Sequence, residues 1–146
     1  MAPRGRRRTP TQSRSRALVS AVVEATQDLL ERGDSDRPSI RSIARRAGVG
    51  VGSVYEYFTD RDAILDAVVD RVTDENFVRF ERVLKAHAEE PLERTIGAIL
   101  DETFDLYLGS GALTRAAVRT MLRFGRLPHV TAVRDRFVDA VARHMG

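Results

Sequence analysis

The chain has 146 residues, of which 42% are hydrophobic and 31% charged, which suits one folded domain or a small head followed by a second helical lobe. No run approaches the roughly 20 apolar residues that cross a bilayer, and no apolar segment follows the charged N-terminus, so we expect neither a membrane partner nor a secretory signal. The absence of cysteine excludes disulfides, thiolate metal sites and a cysteine nucleophile, and it fits a reducing cytoplasm, where we expect the protein to act.

The basic charge is concentrated at the N-terminus. Residues 1–16 carry six arginines and no acidic residue. Since the net charge of the whole chain is +3, the rest of the chain carries a net negative charge. Proline, threonine and serine are also frequent here, and residues 1–12 are predicted to form a disordered basic arm. Two interpretations stay open: a solubilising extension, or an arm that meets phosphates or enters a minor groove, where the negative potential favours arginine.

Three helices are predicted next. Apolar residues on one face of a 3.6-residue period predict a first helix over 13–32, and Gly33 follows it as a stop signal. Ser39 is a suitable N-cap for a short second helix over 40–47. A third short helix is predicted over 51–57.

Further helices are predicted along the rest of the chain. Thr59 is expected to cap a long fourth helix that runs to about residue 86, with Asp62 reaching back as in a capping box. Pro91 suits the first position of a fifth helix, and glycines and prolines then separate a sixth helix over 113–124 from a seventh over 130–145. Because no β-type alternation extends beyond a few residues, the predicted fold class is all-α.

The stretch "AGVGVGSVYEYF", residues 47–58, interrupts these charged helices with alternating glycine and valine and then with aromatic residues. Ala44 is small where two helices would cross closely, and Gly48 falls where the chain must leave the second helix in a left-handed conformation. Val49 can then plug the corner between the helices, while Val54 faces back to the second helix. These constraints at fixed spacing predict a helix-turn-helix.

The third helix is expected to present a front that a nucleic acid could approach. This front is predicted to consist of Gly50, Val51, Gly52 and Ser53. Its two glycines allow a close backbone approach, and Ser53 can bond a base or a phosphate. Tyr55 and Tyr57 can turn hydroxyls toward a phosphate, whereas Phe58 is expected in the core.

The same glycines also match the start of a dinucleotide-binding loop. Such a loop must follow a strand and open a longer helix. The preceding segment "SIRSIARRA" (39–47) instead has a helical period and three arginines, which disfavours nucleotide binding.

In these residues the sequence resembles the TetR family of transcriptional regulators. The resemblance runs from about Arg14 to Val69 and rests on "SIRSIARRAGV" (39–49), "GSVYEYF" (52–58) and "TDRDAIL" (59–65). It implies a three-helix DNA-binding head followed by a helical lobe.

The resemblance also implies roles for single residues. Phosphate contacts are implied for Ser39, Arg41, Tyr55 and Arg61, the last standing where the family usually has lysine. Major-groove contacts are implied for Val51, Gly52, Ser53 and Tyr57. Val51 can offer only an apolar contact, such as one with a thymine methyl group. Gly50 replaces the Ser or Thr that often caps the recognition helix, and Glu56 is expected to point away from DNA.

Members of this family bind palindromic operators as dimers, and a small molecule in the C-terminal lobe respaces the two heads. The resemblance therefore implies a double-stranded operator, a homodimer and a small-molecule effector of unknown identity. Candidate effector contacts are Phe104, Tyr107, Arg119, Met121 and Phe124. Family members usually continue into two further long helices, so the lobe is unusually small or the chain is incomplete.

The sequence thus predicts a basic arm over 1–12, a helix-turn-helix domain over 13–59 and an effector-binding and dimerisation domain over 60–146. The predicted function is that of a ligand-released, DNA-binding repressor. The alternative is a sequence-independent nucleic-acid binder driven by the arginine-rich arm. No catalytic motif or metal-ligand spacing is visible, so no enzyme activity, cofactor or metal is expected.

Overall fold

The computed structural model of the protein describes residues 13–33, 37–109, 119 and 127–145. Within these ranges the chain forms helices joined by short connections and no β-strand, which confirms the predicted all-α class. The chain divides into two compact units, the first ending at Asp70 and the second beginning at Arg71.

The first helix, α1, spans Ser13–Glu31, close to its predicted range. It buries Val22 and Leu30 on the face that the 3.6-residue period predicts. Thr26 is fully buried on the same helix, and its hydroxyl donates to the carbonyl of Val22 at 2.8 Å, so this polar group is satisfied internally. Gly33 follows the helix with a left-handed φ of 73°, as its position as a stop signal predicts.

The second helix, α2, spans Ile40–Ala47, the predicted range. It begins at Ser39, whose hydroxyl accepts a hydrogen bond from the backbone N–H of Ser42 at 3.1 Å and so caps the helix. Ile43 and Ala44 are buried, and α2 packs against α1. The small side chain of Ala44 permits the close crossing that the sequence predicts.

The turn after α2 is closed by Gly48, which adopts a φ of 69°. The N–H of Gly48 donates to the carbonyl of Arg45 at 3.3 Å, and the N–H of Val49 donates to the carbonyl of Ala44 at 3.0 Å. These two bonds form a Schellman motif, in which a left-handed glycine satisfies the last carbonyls of a helix. The third helix, α3, follows over Val51–Tyr57, again the predicted range.

The fourth helix, α4, spans Arg61–Ala86 and is capped by a different residue from the one predicted. The carboxylate of Asp60 accepts a hydrogen bond from the N–H of Ala63 at 2.8 Å, so Asp60 is the cap and the prediction of Thr59 is wrong. A carboxylate in this position also complements the positive end of the helix dipole.

The first half of α4 belongs to the first unit. Its apolar face and the helix-turn-helix together supply the most deeply buried side chains of that unit, which include Ile43, Val54, Phe58, Ile64, Leu65, Val68 and Val69. Arg37, in the loop before α2, donates to Asp62 of α4 at 3.0 Å, so Asp62 serves this tertiary bond. The two compact units meet inside α4, after Asp70, whereas the sequence predicts a domain boundary at residue 59. The first unit includes this part of α4 because the apolar face of the helix completes its core.

The second unit contains the rest of α4 and two further described helices. Helix α5 spans Leu92–Phe104, is preceded by Pro91 at its N-cap instead of the predicted N1 position, and continues as a wider π-helical turn over Asp105–Gly109. Helix α6 spans Leu127–Met145 and so begins before the predicted residue 130. The helix predicted over 113–124 lies outside the described residues except at Arg119.

Ion pairs link these helices within the second unit. Arg79 of α4 pairs with Glu102 of α5 at 2.6 Å. Arg136 of α6 pairs with Asp74 of α4 at 2.6 Å, and its guanidinium lies over the ring of Phe77 at 4.1 Å. The ion pair and the cation–π contact of Arg136 are therefore both made with residues of α4, and together they hold α6 against α4.

Candidate nucleic-acid interface

Helix α3 has one buried side and one open side. Val54 is completely buried on the inner side, where it contributes to the core of the first unit. On the outer side Val51 is 38% exposed and Tyr55 is 44% exposed, and Gly52 lies beside them. Apolar and aromatic side chains on the outer side of a short helix do not pack in the core, so a ligand can contact them.

Gly52 leaves this outer surface open. A Cβ atom built on Gly52 would meet nothing within 4 Å, so no packing inside the described chain requires glycine there. A left-handed backbone does not require it either, because the described glycines with positive φ are Gly33 and Gly48. The space in front of Gly52 is therefore open to a molecule that approaches α3 from outside.

The N-cap of α3 is unusually weak. Gly50 occupies the cap with extended dihedrals, φ −72° and ψ 145°, and offers no side-chain hydrogen bond to the helix. Ser53 is half-buried, and its hydroxyl would lie 3.8 Å from a Cβ at Gly50. The free N–H groups at this helix start are left to solvent or a ligand.

Two arginines stand at the starts of the helices that flank α3 in sequence. Arg41 is the second residue of α2 and is exposed. Arg61 opens α4 and is half-buried, and its Nε is buried without a hydrogen-bond partner among the described residues. A buried guanidinium N–H without a partner costs free energy, which an anion bound at this arginine would recover.

Arg46 has a structural role instead. Its guanidinium donates to the carboxylate of Asp28 on α1 at 2.5 Å, and Arg32 pairs with the same carboxylate at 3.0 Å. The hydrogen bond from Arg46 is the main cause that holds the pKa of Asp28 below its usual value. Arg46 thus links α2 to α1 through an ion pair, although both Arg46 and its neighbour Arg45 are exposed.

Tyr57, which is predicted to face the major groove, lies on the inner side of α3. Its ring is only 6% exposed, and its hydroxyl donates to Oγ of Ser15 in the first turn of α1 at 3.0 Å. The reason is helical geometry: Tyr57 lies three residues after the buried Val54 and therefore on the inner side of α3. This spacing was a usable signal in the sequence, but nothing there pointed to Ser15 as the partner.

Ser39 lies at the predicted place but its hydroxyl is already engaged. It is exposed, accepts from the N–H of Ser42 and donates to Oγ of Ser42 at 3.2 Å. The structure therefore brings together Val51, Gly52, Ser53 and Tyr55 on one short helix, with Arg41, Ser39 and Arg61 at the starts of its neighbours.

Among the predicted effector residues, the structure describes the side chains of Phe104 and Arg119. Phe104 is 60% exposed on α5, and Arg119 is exposed. Met121 and Phe124 lie outside the described residues, as does the side chain of Tyr107. Phe104 therefore does not line an enclosed site in the described part of the chain.

The glycine-rich segment is not a dinucleotide-binding loop. It follows helix α2, not a strand, and opens a helix of two turns. Among the described residues there is also no group of three His, Asp or Glu side chains that could hold a metal ion. None of the described helices is both long enough and apolar enough to span a membrane.

Two helices joined by a tight glycine turn, with the second exposing its outer face, define a helix-turn-helix DNA-binding protein. Comparison with known proteins gives a family likeness for this part of the chain. Residues 22–68 match the model of the family described as bacterial regulatory proteins, tetR family. Over this segment, which contains the helix-turn-helix, the chain is similar to TetR-family regulators.

Two named relatives are also similar to the chain. The chain is 31% identical over 86 residues to the HTH-type transcriptional regulator SAR0097 of Staphylococcus aureus (strain MRSA252), a match that covers 58% of this chain and 45% of that protein. It is 34% identical over 94 residues to the HTH-type transcriptional regulator BetI of Escherichia coli (strain K12 / DH10B), with 62% and 46% covered. Both of these relatives are named as transcriptional regulators.

A solved structure shares the fold. The crystal structure of a TetR-family transcriptional regulator from Streptomyces coelicolor matches with a TM-score of 0.68 at 23% sequence identity, covering 90% of this chain and 69% of that one. The matched part of this chain spans less than half the length of the two curated relatives.

Proposed function

We propose that this protein is a TetR-type transcriptional repressor that binds a palindromic operator as a homodimer and leaves it when a small-molecule effector binds the C-terminal lobe. The observation that carries the DNA-binding part is the open outer face of α3, where Gly52 leaves a space that nothing in the described chain fills. In the cytoplasm, this face would lie in the major groove of the operator.

Each residue of the outer face has a distinct chemical role in this proposal. Val51 places methyl groups where a thymine methyl can contact them. Gly52 lets the backbone come close to the base edges, and Ser53 hydrogen-bonds a base or a phosphate. Tyr55 turns its exposed hydroxyl to the DNA backbone.

Phosphate contacts would fix the register of α3 on the duplex. Arg41 is exposed and paired with no acidic side chain among the described residues, so its full charge is available. Arg61 holds its guanidinium at the start of α4, with an unpartnered Nε. Ser39 would add its exposed hydroxyl, although that group must first serve as the cap of α2.

The support for an effector is the family resemblance, in which a ligand in the lobe moves the fourth helix. In this chain α4 runs continuously from the head into the second unit. Arg37 and Asp62 bond the start of α4 to the loop before α2 at 3.0 Å, so a displacement of α4 would be felt by the helix-turn-helix.

The test is an equilibrium binding titration with two duplexes. One is enriched by the protein itself from a random pool, and the other is a shuffled duplex of the same length and composition. We expect the enriched duplex to bind roughly 10³-fold more tightly at physiological salt. Equal affinity for both duplexes would overturn the proposal.

Single arginine variants sharpen this titration. Arg41→Ala and Arg61→Ala should each weaken binding to both duplexes and reduce the salt slope by about one. Arg82→Ala is the matched control, because it removes an exposed arginine of α4 that lies in the second unit. It should leave both affinities unchanged.

The alternative, a sequence-independent binder, is favoured by the six arginines in residues 1–16. Removal of residues 1–12, which deletes four of these arginines and leaves α1 intact, combined with Arg14→Ala and Arg16→Ala, separates the two proposals. The preference for the enriched duplex should survive this deletion if α3 reads the bases, whereas all binding should vanish if the arm alone drives it.

A further inference from the structure

Glu56 lies on the open side of α3, although the sequence predicts that it points away from DNA. It is exposed, as are Val51 and Tyr55 on the same side. Val54 and Tyr57, in contrast, are only 0% and 6% exposed. The carboxylate of Glu56 therefore belongs to the surface that a nucleic acid would meet, and not to the side that packs in the first unit.

The order of residues around the axis of α3 places Glu56 among the proposed DNA contacts. At about 100° per residue, Glu56 falls between Gly52 and Ser53. It follows Gly52 by about one turn, roughly 6 Å along the axis, and helical side chains lean back toward the start of their helix. A Cβ on Gly52 would meet nothing within 4 Å, so the Glu56 side chain has free space to lean into. A surface that contacts both Gly52 and Ser53 therefore also meets Glu56.

The carboxylate of Glu56 has no partner among the described residues, with which it forms neither an ion pair nor a hydrogen bond. Three other acidic residues of the first unit are engaged: Asp28 and Asp62 pair with arginines, and Asp60 caps α4. A carboxylate close to DNA is repelled by the phosphates, so it weakens binding unless a donor on the DNA offsets this repulsion. Glu56 thus requires a hydrogen-bond donor on the bases.

The major groove presents such donors on two bases, the N4 amino group of cytosine and the N6 amino group of adenine. Adenine also presents N7 as an acceptor beside its amino group, which opposes a second carboxylate oxygen, whereas cytosine presents the amino donor alone. Guanine and thymine present acceptors, which repel a carboxylate. Glutamate is therefore suited to cytosine, and glutamine to adenine.

We infer that Glu56 is a specificity-determining residue, which accepts a hydrogen bond from the N4 amino group of a cytosine in each half-site of the operator. The inference rests on the proposed function and names one base that the outer face of α3 selects. The same carboxylate disfavours other sequences, because no donor there offsets its repulsion by the phosphates.

The first test is the selection of duplexes from a random pool by the natural chain and by Glu56→Gln. The natural chain should enrich a repeat with cytosine at one fixed position of each half-site. Glutamine offers both a donor and an acceptor, so Glu56→Gln should change the preference at that position to adenine and leave the other positions as they are. Glu31→Gln is the matched control, because it makes the same change on an exposed residue at the end of α1, and it should select the natural repeat.

A binding titration then isolates the atom that Glu56 contacts. The cytosine whose preference Glu56→Gln changes is replaced with 2-pyrimidinone, which lacks only the N4 amino group. We expect the factor by which this replacement weakens binding to be about tenfold larger for the natural chain than for Glu56→Ala, since the lost bond has a charged acceptor. The missing Watson–Crick bond affects both proteins alike and cancels in this comparison. Equal factors for the two proteins would overturn the contact.

The affinity for a shuffled duplex tests the second effect of the carboxylate. Glu56→Gln and Glu56→Ala should each bind this duplex roughly two- to tenfold more tightly than the natural chain at low salt, because one negative charge leaves the DNA-facing surface. Unchanged or weaker binding by both variants would place Glu56 away from the DNA and overturn the inference.

The possible failures are distinguishable. A natural chain that enriches no sequence overturns the proposed function together with this inference. A natural chain that enriches a repeat which Glu56→Gln selects unchanged overturns this inference alone, and Glu56 is then a solvated charge at the edge of the interface.

Discussion

Replacing Gly52 with alanine should raise the stability of the protein and weaken its binding to DNA. Gly52 is the second residue of α3, its backbone φ is not left-handed, and an added Cβ would meet nothing within 4 Å. Alanine is favoured over glycine in helices by about 0.5–1 kcal/mol. For a unit of this size that difference corresponds to a rise of roughly 2–8 °C in the thermal midpoint.

The effect of the same methyl group on DNA binding has the opposite sign. The methyl would occupy the space through which the α3 backbone approaches the base edges. We expect Gly52→Ala to weaken binding to the enriched duplex at least about tenfold, which corresponds to roughly 1.4 kcal/mol. Binding to a shuffled duplex depends mainly on phosphate contacts, so it should change little.

The assay pairs scanning calorimetry with fluorescence anisotropy on the same preparations. Gly48→Ala is the control of opposite sign: at φ 69° a side chain is strained, so we expect a loss of about 1–2 kcal/mol. A Gly52→Ala protein that is less stable than the natural chain would refute the account of α3. A stabilised protein with unchanged specific affinity would refute the assignment of this space to DNA.

Four further substitutions test the head. Gly50→Ser should raise stability by a few tenths of a kcal/mol, because the extended cap position accepts any residue and gains a hydroxyl; a lower thermal midpoint would contradict this. Because the pKa of Asp28 is lowered in the folded state, its carboxylate contributes stability above pH about 4, and this stability is lost as the pH falls through the folded-state pKa. The loss of unfolding free energy caused by Asp28→Asn, measured by urea titration, should therefore shrink at acid pH. A loss that does not change with pH would argue against the bond from Arg46. Tyr57→Phe and Ser15→Ala should each cost about 0.5–1.5 kcal/mol and should not add in the double variant, where full additivity would mean that their hydrogen bond is unimportant.

Local signals predicted the helix-turn-helix to the residue. Ser39 caps α2 because a hydroxyl before a helix reaches its free N–H groups, and Gly48 ends α2 because glycine alone takes a left-handed φ cheaply. Both signals depend on residues only three or four positions apart, so they can be recognised from the sequence alone. The bounds of α2 and α3 follow from them.

Contacts between distant parts of the chain were not predictable in the same way. Tyr57 bonds Ser15 across 42 positions in the chain, and no local pattern records which hydroxyl will meet it. Thr59 and Asp60 are both good caps, and the choice of Asp60 depends on where the α3–α4 connection sets the first turn of α4. The boundary after Asp70 likewise reflects which core the face of α4 completes.

The apolar face of α5 illustrates a further limit of sequence patterns. Periodicity predicts that Leu92, Ile96, Leu100 and Phe104 share a face of one helix. Since a covered face and an open one have the same period, only the structure shows that this face is exposed in the described chain.

The most direct test of the central claim, that the outer face of α3 reads bases, is to sequence the duplexes that variants select from a random pool. The natural chain should enrich an inverted repeat with half-sites separated by about 34 Å or a multiple of it. Val51→Ala and Ser53→Ala should each relax or change the preference at particular positions of both half-sites, while Arg61→Ala should select the same repeat with lower affinity. Enrichment of no repeat, or of one that the α3 variants leave unchanged, would contradict the account.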